Sequence, residues 1–263
     1  MKKRSLVLPA DYPWKDLQTA VSYRDTMLDN DDHYLSVGVS AFQAIRRALN
    51  LHGLDAPSTI LDLPCGHSRV TRVLRAAFPD AKIYVCDIDT DGTEFCSEEF
   101  HAEPLAAGTD FLKLDYGKKF ELIWVGSLIT HLPAPATNDF LAFVVRHLTR
   151  NGVAVVSSHG RFVVNRLAAD ARSSSDFLGI GVDAVQEMLR EYDATGHGYA
   201  DYPLANDSHR HPQSQDQRFG ISIASREWIA DVITRAGGTI LSYEEQVWDN
   251  HHDVAAFARG ART

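Results

Sequence analysis

The chain is short of several features that mark whole protein classes. Its three cysteines, Cys65, Cys86 and Cys96, are too few and too irregularly spaced for a disulfide framework or a C-x-x-C zinc knuckle. No apolar run approaches the roughly 18 to 20 residues that cross a bilayer. The start, Met1-Lys2-Lys3-Arg4, reaches Asp11 before the apolar stretch of a secretion signal develops. A cytoplasmic protein without a membrane partner is the expectation. Basic residues are also scarce, 26 Lys and Arg against 35 Asp and Glu for a net charge of -9. That balance disfavours charge-driven binding to nucleic acid and leaves a small molecule as the expected partner. There is no internal repeat, and the G-x-G-x-x-G run of dinucleotide-binding dehydrogenases is missing.

What is present is the make-up of a globular protein, 44% hydrophobic and 23% charged residues. A chain of 263 residues can bury one core and carry an elaboration of it. Periodicity predicts a helix over about Ser40 to Leu51, with Phe42, Ile45 and Leu49 on one face and Gly53 as its stop. Strands are expected at Thr59 to Leu63, Lys82 to Ile88, Glu121 to Val125 and Val153 to Ser157, with a weaker one around Pro104 to Ala107. Helices opening near Val70, Thr90 and Thr137 separate them. Strands alternating with helices imply right-handed crossovers and a doubly wound, mostly parallel α/β sheet with helices on both faces.

The alternation fails between Arg161 and Phe219, where an amphipathic helix carries Val182, Val185, Met188, Leu189 and Tyr192. A polar stretch from Asn206 to Arg218 follows and reads as a surface lid. A helix from Ser225 to Arg235 and two closing strands, Thr239 to Glu245 and Asp253 to Ala258, complete the chain as an antiparallel pair. The expected organisation is one domain: an N-terminal helical leader (1-53), a ligand-binding core (54-160), a cap-like insertion that supplies the substrate pocket (161-218) and core completion (219-263).

In an open parallel sheet, ligands bind at the carboxyl ends of the strands. The first such end here reads Asp62-Leu63-Pro64-Cys65-Gly66-His67-Ser68, and the second reads Asp87-Ile88-Asp89. A small residue at Gly66 lets backbone approach a ligand, and a carboxylate at Asp87 accepts from both hydroxyls of a ribose. Asp89 reads as the cap of the next helix.

These two runs resemble the first two motifs of the class I S-adenosylmethionine-dependent methyltransferases, with Pro64 and Ser68 standing where that family usually has glycine. The resemblance spans about Tyr34 to Ser158 and returns from Phe219 to Arg259. It implies a seven-stranded sheet whose last strand is antiparallel, S-adenosyl-L-methionine as cofactor and S-adenosyl-L-homocysteine as product. The cofactor contacts it implies are Asp62, Pro64, Cys65, Gly66, Asp87, Ile88, Asp110 and Phe111, with Gly126 and Ser127 beside the methionine part.

Methyl transfer needs alignment more than a strong base. The candidates for a base or for another catalytic side chain are His131, His159 and Asp201, with Tyr199 and Tyr202 at the edge of the acceptor pocket. The histidines of His209-Arg210-His211 and His251-His252 have no carboxylate or cysteine at a recognised metal-site spacing, so no metal is expected. The function read from these residues is methylation of an oxygen, nitrogen or carbon atom of a small molecule. The alternatives are a non-catalytic adenosyl-nucleoside-binding or regulatory protein on the same fold and, behind it, an NAD-dependent dehydrogenase.

Overall fold

A computed structural model describes residues 2–173, 180–203 and 218–260. The chain opens with two short antiparallel strands, β1 (Lys3–Ser5) and β2 (Ala20–Ser22), and then α1 (Asp31–His52). The core runs β3 (Thr59–Asp62), α2 (Thr71–Ala77), β4 (Lys82–Val85), α3 (Thr90–Phe100), β5 (Glu103–Pro104), β6 (Phe120–Val125), α4 (Ala134–His147) and β7 (Leu148–His159). There follow α5 (Arg161–Ser173), α6 (Val182–Thr195), β8 (His197–Asp201), β9 (Gly220–Ala224), α7 (Arg226–Arg235), β10 (Gly238–Trp248) and β11 (His252–Arg259).

The seven-stranded sheet has the order β10-β11-β7-β6-β3-β4-β5. Strands β3 to β7 are parallel, and the last strand, β11, slides in antiparallel between β7 and β10. Alternate residues feed the two faces, as the period of two in a strand requires. Leu61, Ile123, Val125 and Ala154 join Phe140 and Phe143 of α4 on one side. Ile60, Leu122, Trp124 and Val155 join Ile45 and Leu49 of α1 on the other.

Two differences from the expected elements have local causes. Helix α1 begins nine residues before Ser40, because the Asn30 side chain caps it by accepting from the His33 amide at 2.8 Å. Its extra turns, through Ser36 and Gly38, have low intrinsic helix propensity but bury Tyr34, Leu35 and Val37. The insertion also holds more order than its sequence suggests. Helix α5 precedes α6, and β9 pairs with β8 rather than joining the central sheet. Val163, Leu167, Met188, Ile221 and Ile223 give this layer a small core of its own. Most of the stretch read as a lid, up to Gln217, lies outside the described residues, as do His209 and His211.

The leader is tied down by Arg72. This arginine is 1% exposed, with its guanidinium within 5.3 Å of the Tyr34 ring centre and 5.1 Å of the Phe100 ring centre. It donates to the carbonyls of Gln18 (2.8 Å) and Ala20 (3.0 Å) and to Ser68 Oγ (3.1 Å).

Candidate active site

The carboxyl ends of β3, β4 and β6 enclose two cavities, of about 410 and 280 Å³. The larger is mostly apolar and reaches Thr109, Phe111, Tyr116 and Ala136; the smaller takes in Asp25, Asp62, Gly66, Gly126, His131 and Trp248. Both are walled by Pro64, Asp87, Ile88, Leu128 and Phe219, so Asp87 stands at their junction.

The two residues whose meeting matters most are in contact. The Gly66 amide donates to Asp87 Oδ2 at 2.8 Å, and the Asp89 amide donates to Oδ1 at 2.9 Å. Each carboxylate oxygen has further acceptor capacity beyond these bonds. Gly66 has φ +48°, and a Cβ placed on it would meet nothing within 4 Å, so the turn runs along open space rather than packed protein. Helix α3 comes so close behind it that a Cβ on Gly92 would lie 2.4 Å from the Gly66 carbonyl oxygen. Asp89 caps α3 through the Asp91 amide.

Asp62 is the most perturbed carboxyl of the site. Complete burial pushes its pKa up to about 7, a donated bond from Thr71 Oγ1 (2.6 Å) opposes that rise, and the charge of Asp87 adds to it. Its Oδ1 is buried with no hydrogen-bond partner. An adenosyl amino acid has the complementary parts: an adenine for the apolar cavity, a ribose for Asp87 at the junction, and an ammonium for the buried Asp62 oxygen. The residues present fit S-adenosylmethionine.

A pH test follows from Asp62. Folded, the carboxyl keeps its proton to about pH 7; unfolded, it releases it near the ordinary 3.8. The native state therefore binds more protons than the unfolded state between those values, and stability from this group is full below 3.8 and lost as pH rises to 7. Asp62→Asn is expected to flatten the ligand-free melting temperature over that range and to weaken cofactor binding. Parallel thermal-melt profiles for wild type and variant would contradict the assignment.

Other expected contacts divide. Pro64, Cys65, Ile88, Phe111 and Gly126 line the cavities. The Phe111 ring is held edge-on by Phe140 at 4.9 Å, and the Cys65 thiol is raised by its bond with Cys96 and by burial, which keeps it a protonated packing group. Ser127 lines the smaller cavity at φ +58°, but its amide is committed to Ser157 Oγ at 2.8 Å and is not a donor for the ligand. Asp110 lines neither cavity; it is exposed and paired with Lys113 at 2.7 Å, so Thr109 and Phe111 wall that end.

Asp201 and Tyr199 also line neither cavity. The Tyr199 hydroxyl and the Arg218 guanidinium both donate to the Asp201 carboxylate, at 2.7 and 2.8 Å, and Arg218 stacks over the Tyr199 ring. These two residues hold Arg218 and Phe219 at the cavity edge instead of facing it themselves. Tyr202 is buried, with its hydroxyl 3.5 Å from His131 Nδ1.

His131 lines the smaller cavity and is clamped: its ring stacks on Phe219 at 4.7 Å, and its Nδ1 lies 2.8 Å from the Gly220 carbonyl oxygen. A carbonyl only accepts, so Nδ1 carries the proton and the lone pair is on Nε2. His159 differs. Burial, then the neighbouring His131 and His251, push its pKa down to about 3. Asp25 and Met27 of the leader also line this cavity, and nothing in their local sequence marks them; Tyr34 donates to Asp25 at 2.7 Å and fixes it there.

The strand order and the antiparallel last strand define the class I methyltransferase fold, and solved structures share it. A methyltransferase dependent on S-adenosylmethionine from Clostridium acetobutylicum has 14% identity over 85% of this chain and 92% of its own, with a TM-score of 0.54. PKMT2 from Rickettsia typhi, in complex with AdoHcy, has 13% identity over 86% of this chain but only 54% of its own, with a TM-score of 0.51. The N-methyltransferase NodS from Bradyrhizobium japonicum, in complex with S-adenosyl-L-homocysteine, has 14% identity over 84% of this chain and 86% of its own, with a TM-score of 0.50. Identities this low speak for the fold alone. No curated protein matches the chain in sequence. Residues 61–154, from the end of β3 to β7, match the family model of the methyltransferase domain. With that match lying on the site just described, the chain carries a methyltransferase domain over residues 61–154, on the fold shared with class I S-adenosylmethionine-dependent methyltransferases.

Proposed function

We propose that this enzyme methylates an oxygen, nitrogen or carbon nucleophile of a small molecule in the cytoplasm, releasing S-adenosyl-L-homocysteine. The observation that carries the acceptor class is the lining of the smaller cavity. Asp25 and Met27 from the leader, Phe219 just before β9 and Trp248 from β10 line about 280 Å³ in which the methionine part of the cofactor and the reacting group of the acceptor would meet, a space scaled to a metabolite rather than a polymer. Among the described residues no helix is long and apolar enough to cross a membrane.

S-adenosylmethionine, when bound, supplies a methyl carbon on a sulfonium that is already an activated leaving group. The protein's own residues position and deprotonate. Asp87 would hold the ribose hydroxyls, Asp62 the ammonium, and Phe111, Leu114 and Ile88 the adenine, while His131 lines the same smaller cavity as Asp62. Fixing two reactants at attack distance is worth roughly 7 to 11 kcal/mol. His131 Nε2 takes the acceptor's proton. His159, with a pKa near 3, is too weak a base for that work at neutral pH. Tyr202 is a positioning residue behind His131, and residues 54–160 bind the cofactor while 161–218 shape the acceptor side.

His131→Gln is expected to lower kcat by about 10²-fold or more while leaving affinity for S-adenosylhomocysteine largely unchanged. The measurement is acceptor-dependent formation of S-adenosylhomocysteine across a metabolite panel. Tight cofactor binding with no turnover on any acceptor would favour a non-catalytic binding protein instead, and calorimetric binding of NAD would favour a dehydrogenase.

A further inference from the structure

A histidine distant in sequence meets two adjacent ones at the far end of β7. His159 ends β7 and is in register with His252, the first residue of β11, with ring centres 4.8 Å apart. His251, from the turn before β11, puts its ring 4.2 Å from that of His252 and 6.1 Å from that of His159. One ring nitrogen from each residue lies within 4.8 Å of the others.

The hydrogen bonds sort these nitrogens. His159 Nδ1 contacts the Ser222 carbonyl at 3.2 Å and His251 Nδ1 the Asp249 carbonyl at 2.6 Å, so in both rings Nδ1 is the donor and Nε2 carries the lone pair. Metal-binding histidines show the same pattern: a backbone carbonyl on the far nitrogen sets the tautomer and the ring orientation. His252 is 5% exposed, and its Nδ1 is buried without a hydrogen-bond partner. The Asp249 carboxylate, 3.9 Å from His251 Nδ1, adds negative charge beside the cluster.

We propose that His159, His251 and His252 together bind one divalent transition-metal ion of the zinc type. Imidazole nitrogens select zinc, cobalt, nickel or copper over magnesium and calcium, which prefer oxygen. Zinc–nitrogen bonds of ~2.0–2.1 Å in tetrahedral geometry bring ligand atoms to about 3.4 Å from one another, so the rings close by a little over 1 Å. Three protein ligands leave a coordination position for water or another oxygen or nitrogen donor. The site backs onto the smaller cavity, since the Trp248 ring that lines that cavity packs 4.6 Å from the His252 ring. The proposal departs from the expectation of no metal read from residue spacing, because His251 and His252 find a third partner in His159, which the β7–β11 register supplies.

The full chain, freed of metal by chelation, is titrated with Zn²⁺ and separately with Co²⁺, followed by equilibrium dialysis with elemental analysis and, for Co²⁺, by the visible d–d bands of a nitrogen-ligated tetrahedral or five-coordinate ion. One ion per chain is expected. His251→Gln, at a position whose side chain is 36% exposed and tolerant of change, is expected to weaken binding at least 10-fold, with circular dichroism and affinity for S-adenosylhomocysteine unchanged. His209→Gln with His211→Gln is expected to leave binding intact. Weak multisite binding, binding unmoved by His251→Gln, or binding lost in the His209 and His211 double variant overturns the proposal. None of these readouts depends on methyl transfer.

Discussion

Asp87→Ala is expected to weaken binding of S-adenosylhomocysteine by about 10²- to 10³-fold in a calorimetric titration. The carboxylate stands where the two cavities join, and on the proposed reading its two oxygens accept from two ribose hydroxyls. Each hydrogen bond to a charged group contributes roughly 1.5–3 kcal/mol, and 1.4 kcal/mol is a factor of ten. The variant also strands the Gly66 amide, which Asp87 now engages at 2.8 Å, so the turn that borders the ligand loosens. Asp87→Asn keeps one good acceptor and is expected to lose less. Undiminished affinity in Asp87→Ala would remove the basis for reading the larger cavity as the adenine site and the smaller as the methionine site.

Arg72→Leu is expected to cost about 3–5 kcal/mol of unfolding free energy in a urea titration. The substitution leaves two leader carbonyls and Ser68 Oγ without their donor and withdraws a planar group packed against Tyr34 and Phe100. The effect is expected to reach function, because Asp25 and Met27 enter the smaller cavity only while the leader is docked. Acceptor KM is therefore expected to rise more than the cofactor dissociation constant. A loss under about 1 kcal/mol would mean that the apolar contacts of Leu6, Leu17, Val21 and Leu35 hold the leader without Arg72.

The parallel core was legible because its signals are local. Thr59 to Asp62 and Glu121 to Val125 are buried on both faces, so their hydrophobic runs stand out, and Gly53 and Pro79 punctuate the helices beside them. The Gly66 turn and Asp87 were legible for the same reason: strand ends in a parallel sheet converge, and both residues sit at such ends. The reading of Asp110 failed because a solvated turn carboxylate and a ligand-facing one look alike in sequence, and the pairing with Lys113 at i+3 decided it. Tyr199 and Asp201, read as catalytic and pocket-edge residues, line neither cavity and face Arg218 instead, since alternation along β8 turns each side chain to one face or the other and only the pairing with β9 sets which.

Residue order alone determined the class of fold and the placing of Gly66 and Asp87 beside adjoining strand ends, because hydrophobic period and turn chemistry act over a few residues. Tertiary structure decided what lines the smaller cavity. It brought Asp25 from the leader, Phe219 from just before β9 and Trp248 from β10 around His131, and it set His159 against His252 across a strand pair. Those meetings depend on register and on docking between segments up to about two hundred residues apart, where burial of side chains rather than local preference selects the neighbour.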